Sequence, residues 1–302
     1  MKKVTSKIKK PNRLHSITNV ILIVIFSIGT FSCSNDDDGP PPVVIKEISQ
    51  EIKDLIYFRG EEKAPTVVIT VPGGPGTELA TELVDQLSWY FNTTGVLMVN
   101  VHQAQTLNPS ILQDEDITFD QAVNFNAESV ETLHQVVKHF KDEGRTVYVV
   151  GLSFGAFMTQ ELIAKKGIDV ADKYLIITGR LDMNDIFWLG LAQGKSGYFE
   201  NGVNPIINAE PQVDVFGRNE ARLFAGLIMN RYTQHFNTIE SLSNITYIYG
   251  ETDDAVGRLT NEEVAFLQSK NANIFTGSGD HDEPYEGYLE QGFNEAFGIE
   301  VE

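Results

Sequence analysis

The chain has a single cysteine, Cys33, in 302 residues. No disulfide can therefore close within it, and no grouping of His, Cys and carboxylates has the spacing of metal ligands. The glycine-rich stretch "PGGPGTE" at 72–78 lacks the G-K-[ST] that lets a loop cradle nucleotide phosphates. Neither a metal nor a cofactor is expected. Long apolar runs are also missing. The stretch Val20–Phe26 is almost wholly aliphatic but too short for a membrane-spanning helix. Positive charge is scarce, with 23 Lys and Arg against 42 Asp and Glu and a net charge of -19. Such a surface repels phosphate backbones, which argues against a nucleic-acid partner.

What positive charge there is collects at the front. Residues 2–13 carry five lysines and an arginine with no acid, ahead of the aliphatic stretch and the break "GTFSCSNDDDGPPP". A basic segment, a short apolar segment and a small residue before the break describe a bacterial export signal, assigned to 1–32. Without it the chain has 17 basic residues against 42 acidic ones, a net -25. Cys33, preceded by Ser32, resembles the lipid-modified cysteine of bacterial lipoproteins, although Thr30 and Phe31 replace the usual aliphatic and small residues. That resemblance implies a membrane anchor at Cys33 and an exported, outer-membrane protein on the periplasmic face or the cell surface. Residues 33–43, with three aspartates and three prolines, read as an extended tether.

The remaining chain, 42% apolar overall, alternates between two hydrophobic periods. Continuous β-rich runs occur at 66–71, 96–101, 146–150, 174–178 and 245–249, with a weaker one at 272–276. Runs apolar on both faces suit a sheet covered on both sides. Helical patterns lie between them. Val130, Leu133, Val137 and Phe140 share one face before Gly144, and the 156–166 segment ends in two lysines before Gly167, both helix-stop signals. The alternation predicts an α/β fold with a mostly parallel sheet. Segment 44–60 reads as an antiparallel edge hairpin. The core is expected over 44–180 and 240–302, with 181–239 as a short cap insertion that includes a helix near 219–235.

In open parallel sheets, ligands gather at the carboxyl ends of the strands. After the 146–150 run comes Gly151-Leu152-Ser153-Phe154-Gly155, followed directly by a helix. Strand before and helix after is the context in which G-x-S-x-G raises a serine hydroxyl above the sheet. A serine needs a base, and the base an orienting acid. The 245–249 run ends in "GETDDAVG", offering Asp253 or Asp254, and the last run ends in "GSGDHDEP", offering His281. The bland alternatives are a serine in a tight turn and solvated loop acids. His102, just after the 96–101 run, reads as a polar loop residue on the rim, and His134 and His139 as surface or packing residues of a helix.

With serine, acid and histidine in that chain order, the sequence from about residue 44 to the end resembles the α/β-hydrolases. The resemblance implies the α/β-hydrolase fold, with Ser153 as nucleophile, Asp253 (at the G-x-x-D position) as acid and His281 as base. It also implies an oxyanion hole from the backbone N–H of Phe154 and of Gly74, or its neighbour Gly73. The PGGPG loop is similar to the HGGPG signature of the proline iminopeptidase branch. Here Pro72 replaces the histidine, Leu152 and Phe154 replace the branch's elbow neighbours, and "VHQAQT" stands where that branch has D-Q-R-G. Substrate specificity therefore does not transfer. In that branch cap acids hold the substrate's amine; Asp182, Asp185, Glu200, Glu210 and Asp214 lie in this insertion, and none aligns with the role. The expected protein is a serine hydrolase acting on a small-molecule or peptide ester or amide, with an aminopeptidase-like enzyme as the finer expectation. The competing reading is a catalytically inactive scaffold of the same fold that binds a surface ligand.

Overall fold

The computed structural model describes residues 45–91, 94–277 and 279–300. Cys33 and the segments read from the sequence as an export signal and a tether lie outside them. A one-turn helix α1 (Gln50–Lys53) leads into β1 (Ile56–Gly60), followed by β2 (Thr66–Val71), α2 (Thr81–Tyr90) and β3 (Val96–Val101). Two short helices, α3 (Ala104–Leu107) and α4 (Ser110–Gln113), precede the long α5 (Phe119–Asp142). Then come β4 (Thr146–Leu152), α6 (Phe154–Lys166) and β5 (Lys173–Ile177). Between β5 and β8 (Ile245–Gly250) lie α7 (Asp185–Ala192), a hairpin of β6 (Lys195–Glu200) and β7 (Asn204–Pro211), α8 (Val215–Ile228) and α9 (Tyr232–Phe236). The chain closes with α10 (Asn261–Ser269), β9 (Asn273–Gly277) and α11 (Glu283–Phe297).

Seven strands form one sheet in the order β1-β3-β2-β4-β5-β8-β9. β1 pairs antiparallel with β3 and every other pairing is parallel. The unbroken apolar runs follow from burial on both faces. Val67 and Ile69 belong to a core shared with Leu133 and Val137 of α5 and with Phe157 and Leu162 of α6. Val68 faces the opposite core with Leu87 of α2 and Phe293 and Phe297 of α11. Segment 44–60 differs from its expectation. It is a helical turn and one edge strand, because Ile48 and Ile52 bury in the core and β1 finds its partner in β3 rather than in a hairpin mate.

The longest helix begins earlier than its apolar stripe. Thr118 and Gln121 form a reciprocal capping box at the start of α5, satisfying N–H groups that have no intrahelical acceptor. The predicted helix near 219–235 is two helices. Arg231 stands at the break, its Nη1 donating to the Met183 carbonyl and its Nη2 to Asp185, while Asn230 donates to Glu161 at 3.0 Å. Two buried asparagines fasten α8 to the core. The Asn219 amide accepts from Ile117 N–H at 3.0 Å and donates to the carbonyls of Ile111 at 3.1 Å and Glu115 at 2.7 Å. Asn126 of α5 donates to the Leu223 carbonyl at 2.7 Å.

Candidate active site

The carboxyl ends of β4, β5 and β8 are sewn together by backbone bonds, and these hold the polar loops in place. Ser153 N–H donates to Ile177 O and Thr178 N–H to Ile248 O, both at 2.9 Å. Ser153 itself sits at φ 50° and ψ -112°, a region that costs an L-residue on the order of 1–3 kcal/mol. The glycines on either side do not share that strain. They permit close approach instead: a β-carbon on Gly155 would lie 1.9 Å from Val71 O, and one on Gly151 2.5 Å from Thr159 Oγ1. Helix α6 can thus start hard against the end of β2, and its buried residues run from Phe154 to Ile163.

Three side chains from three strand ends meet above this turn. His281 Nε2 lies 2.9 Å from Ser153 Oγ, and His281 Nδ1 lies 2.9 Å from Asp253 Oδ2. Asp253 is fully buried, and its Oδ1 accepts from the N–H groups of Ala255 and Val256, each at 2.9 Å. Its neighbour Asp254 is exposed. The loop carrying Asp253 is tied to the loop carrying His281 through Thr252 N–H to Gly279 O at 3.1 Å. Burial is the largest single influence on His281 and pushes its pKa down. The hydrogen bond and charge of Asp253, with Asp282 and Asp254 behind, outweigh it and hold the imidazole above its ordinary value.

The PGGPG loop lies over the serine. A β-carbon on Gly73 would stand 3.5 Å from Ser153 Cβ. Gly74 has φ +135°, and a β-carbon there would meet Gly76 N at 2.7 Å, so the turn requires glycine. Phe154 is the first residue of α6, and its N–H has no acceptor within the helix. Gln103, buried after β3, donates from Nε2 to Pro72 O at 3.5 Å, which holds the base of the loop.

Beside the loop opens a cavity of about 170 Å³, lined by Gly74 and Ala255 from the core and by Phe187, Leu191, Glu220 and Phe224 from the insertion. Glu220 is the residue the sequence did not reveal. On an amphipathic helix it reads as a solvated acid, yet it is half-buried, with no hydrogen-bond or ion-pair partner among the described residues. Burial, then the charge of Asp214, raises its pKa above the usual carboxylate value. The five acids named from the sequence are elsewhere. Asp182 accepts from Thr233, Asp185 from Trp188 and Arg231, and Asp214 caps α8; Glu200 and Glu210 are exposed.

His102 is half-buried and its Nδ1 pairs with Thr106 Oγ1 at 2.9 Å; burial lowers its pKa. His134 and His139 lie on α5 beside Glu131 and Glu143. A larger cavity, about 360 Å³ between α2 and α11, contains none of the three meeting side chains. Among the described residues no group of three His, Cys, Asp or Glu is arranged to hold a metal ion, and no helix is long and apolar enough to cross a membrane.

No protein-family model matches the chain, and no curated protein matches it in sequence. Among solved structures it is similar to an alpha/beta hydrolase enzyme from a Medee basin deep-sea metagenome library, at 16% identity and a TM-score of 0.53, over 80% of this chain and 94% of that one. A bromoperoxidase from Bacillus anthracis aligns at 14% identity and a TM-score of 0.47, over 80% and 92% of the two chains. Est1E from Butyrivibrio proteoclasticus aligns at 15% identity and a TM-score of 0.46, over 80% and 90%. Likeness at this distance concerns the fold alone, and the seven-stranded, mostly parallel sheet flanked by helices agrees with that of the deep-sea enzyme: the chain has the α/β-hydrolase fold.

Proposed function

We propose that the protein is a serine hydrolase that cleaves an ester or amide through an acyl-enzyme. The observation that carries the reading is the continuous pair of 2.9 Å contacts from Ser153 Oγ through His281 to Asp253. In the neutral imidazole, Nδ1–H donates to Asp253, which leaves the Nε2 lone pair facing the serine hydroxyl. Nε2 takes the hydroxyl proton as Oγ attacks the carbonyl carbon. The negative charge that develops on the carbonyl oxygen is received by the N–H groups of Phe154 and Gly74. His281 then passes the proton to the leaving group, and water releases the acyl group by the same steps in reverse order.

A fluorophosphonate probe tests this directly. The wild-type chain should be labelled and Ser153→Ala should not. Equal labelling of the two would remove Ser153 as the nucleophile, and absence of labelling in both would favour the ligand-binding reading.

Glu220 favours a second, finer reading, in which the substrate carries a free amine. A carboxyl without a hydrogen-bond or ion-pair partner among the described residues, lining the cavity beside Gly74, offers a counter-charge to an ammonium group entering with the scissile carbonyl. Without that preference the protein is an esterase. Turnover of a prolyl arylamide against a short acyl ester separates the two: an ester preference of several orders of magnitude rejects the amine-directed reading.

We also propose that the mature protein is exported and attached to the outer membrane through a lipid on Cys33. Palmitate incorporation in wild type and in Cys33→Ala tests it, and equal labelling rejects attachment at that residue.

A further inference from the structure

In the reaction proposed for Ser153, one oxyanion donor is the Gly74 N–H, carried by the loop of residues 72–80 between β2 and α2. That loop has little of its own to hold it. Pro72 and Pro75 carry no N–H, and residues 73–78 form no hydrogen bond among the described residues. Gly73 and Gly74 are exposed. Two amide side chains from the carboxyl end of β3 take the loop at its two ends instead. Gln103 donates from Nε2 to Pro72 O at 3.5 Å, and Asn100 donates from Nδ2 to Ala80 O at 2.8 Å.

These amides stand where packing alone asks for apolar side chains. Asn100 is the one polar residue of β3, buried among Val96, Leu97, Met98, Val99 and Val101. Asn100, Gln103 and Gln105 are 0%, 2% and 1% exposed, and burying an amide costs free energy that only its hydrogen bonds offset. Here the bonds fall on the donor side: Asn100 Oδ1 and Gln105 Oε1 have no partner, while the NH2 groups of Asn100 and Gln103 meet the two loop carbonyls. Gln105 Nε2 donates to Gln103 Oε1, which leaves the Gln103 amide only its NH2 to present to Pro72. The backbone beneath is also fixed, since Gln103 N–H donates to Thr106 Oγ1 at 2.8 Å and Ala104 N–H to Ser129 Oγ of α5 at 2.9 Å. On its other side Pro72 O is closed in by Gly155, where a β-carbon would stand 2.7 Å away. We propose that Asn100 and Gln103 are positioning residues for the reaction: by clamping both ends of the loop they set where the Gly74 N–H points. Neither touches a reacting atom, and the inference rests on the serine-hydrolase reading.

Gln103→Met and Asn100→Leu test it, each keeping the bulk of the side chain and removing the donor. An oxyanion contact forms only in the transition state. A misdirected Gly74 N–H should therefore lower kcat for a short acyl ester about 30-fold in either variant and leave KM within about twofold. The rate constant of fluorophosphonate labelling should fall by the same factor, because the phosphoryl oxygen of the probe occupies the place of the oxyanion. Asn219→Ala is the comparison: it also removes buried hydrogen bonds but not those of the loop, and should show wild-type kcat once folded. Melting curves give a temperature at which each variant is folded, and because the two amides hold opposite ends of the loop, either variant can be read without the other. Wild-type kcat and labelling rate in either folded variant, or a rise in KM with kcat unchanged, overturns the proposal and leaves the hydrolase reading standing. A wild type that neither turns over the ester nor takes the label overturns both.

Discussion

Gly155 and Val71 approach so closely that a β-carbon on the glycine would lie 1.9 Å from the valine carbonyl oxygen. The clash is with backbone on both sides, at the junction that starts α6 beneath Ser153. Gly155→Ala should therefore lower stability by about 3 kcal/mol or more, since neither partner can rotate away. Gly76→Ala, where a β-carbon meets nothing within 4 Å, should melt like wild type. Denaturant midpoints of the two variants check the contrast.

Asp253 and Asp254 are adjacent in sequence but differ in surroundings, one fully buried against His281 and the other exposed. Asp253→Asn should reduce kcat by about 10⁴-fold, because the amide no longer selects the tautomer that leaves Nε2 free. Asp254→Asn should stay within a few-fold of wild type. Steady-state kinetics on any ester the wild type turns over will tell them apart.

The pH profile has a definite sign. Protonated His281 cannot accept the serine proton, so kcat/KM falls as pH drops through its pKa. Asp253 holds that pKa above the ordinary imidazole value, so the acid limb should lie above about 6.5. In Asp253→Asn the limb should move to lower pH, because burial remains and the carboxylate is gone. Stability follows the same group. A raised folded pKa contributes stability that is full below the unfolded value and is lost as pH rises through the folded one.

Asn219 should matter for the cap and not for the chemistry. It is fully buried and bonds to Ile117, Ile111 and Glu115 across some hundred residues of sequence. Asn219→Ala leaves those backbone groups without partners and should cost about 2–4 kcal/mol. Thermal melts measure the loss, and fluorophosphonate labelling of the folded fraction should be unchanged.

Much of the sheet was legible because its strands are buried on both faces. Every residue of 96–101 is buried, and a run of that kind has few other uses. The residues that meet above Ser153 were visible as polar groups following such runs. The cap was not legible, for reasons particular to its residues. The break at Arg231 depends on the Met183 carbonyl, 48 positions away, and no local pattern encodes it. Glu220 has the periodicity of a surface acid, and only the packing of α7 and the β6–β7 hairpin around it makes it part of a cavity wall. The strain in the elbow also fell on an unexpected residue. The motif's glycines draw attention as the flexible positions, but Ser153 takes the positive φ and the glycines supply clearance.

The β6–β7 hairpin is stitched to the segment that carries Asp253: Phe199 N–H donates to Asp254 O at 2.7 Å, and Arg258 N–H to Gly202 O at 2.9 Å. A hairpin joined this way to the acid's own loop is coupled to it, so the two move together. Swinging it outward would break both bonds and pull on the backbone that aims Asp253, so a guest admitted by that route would reach a disassembled centre. A guest small enough to leave both bonds intact would meet Ser153, His281 and Asp253 in the arrangement described.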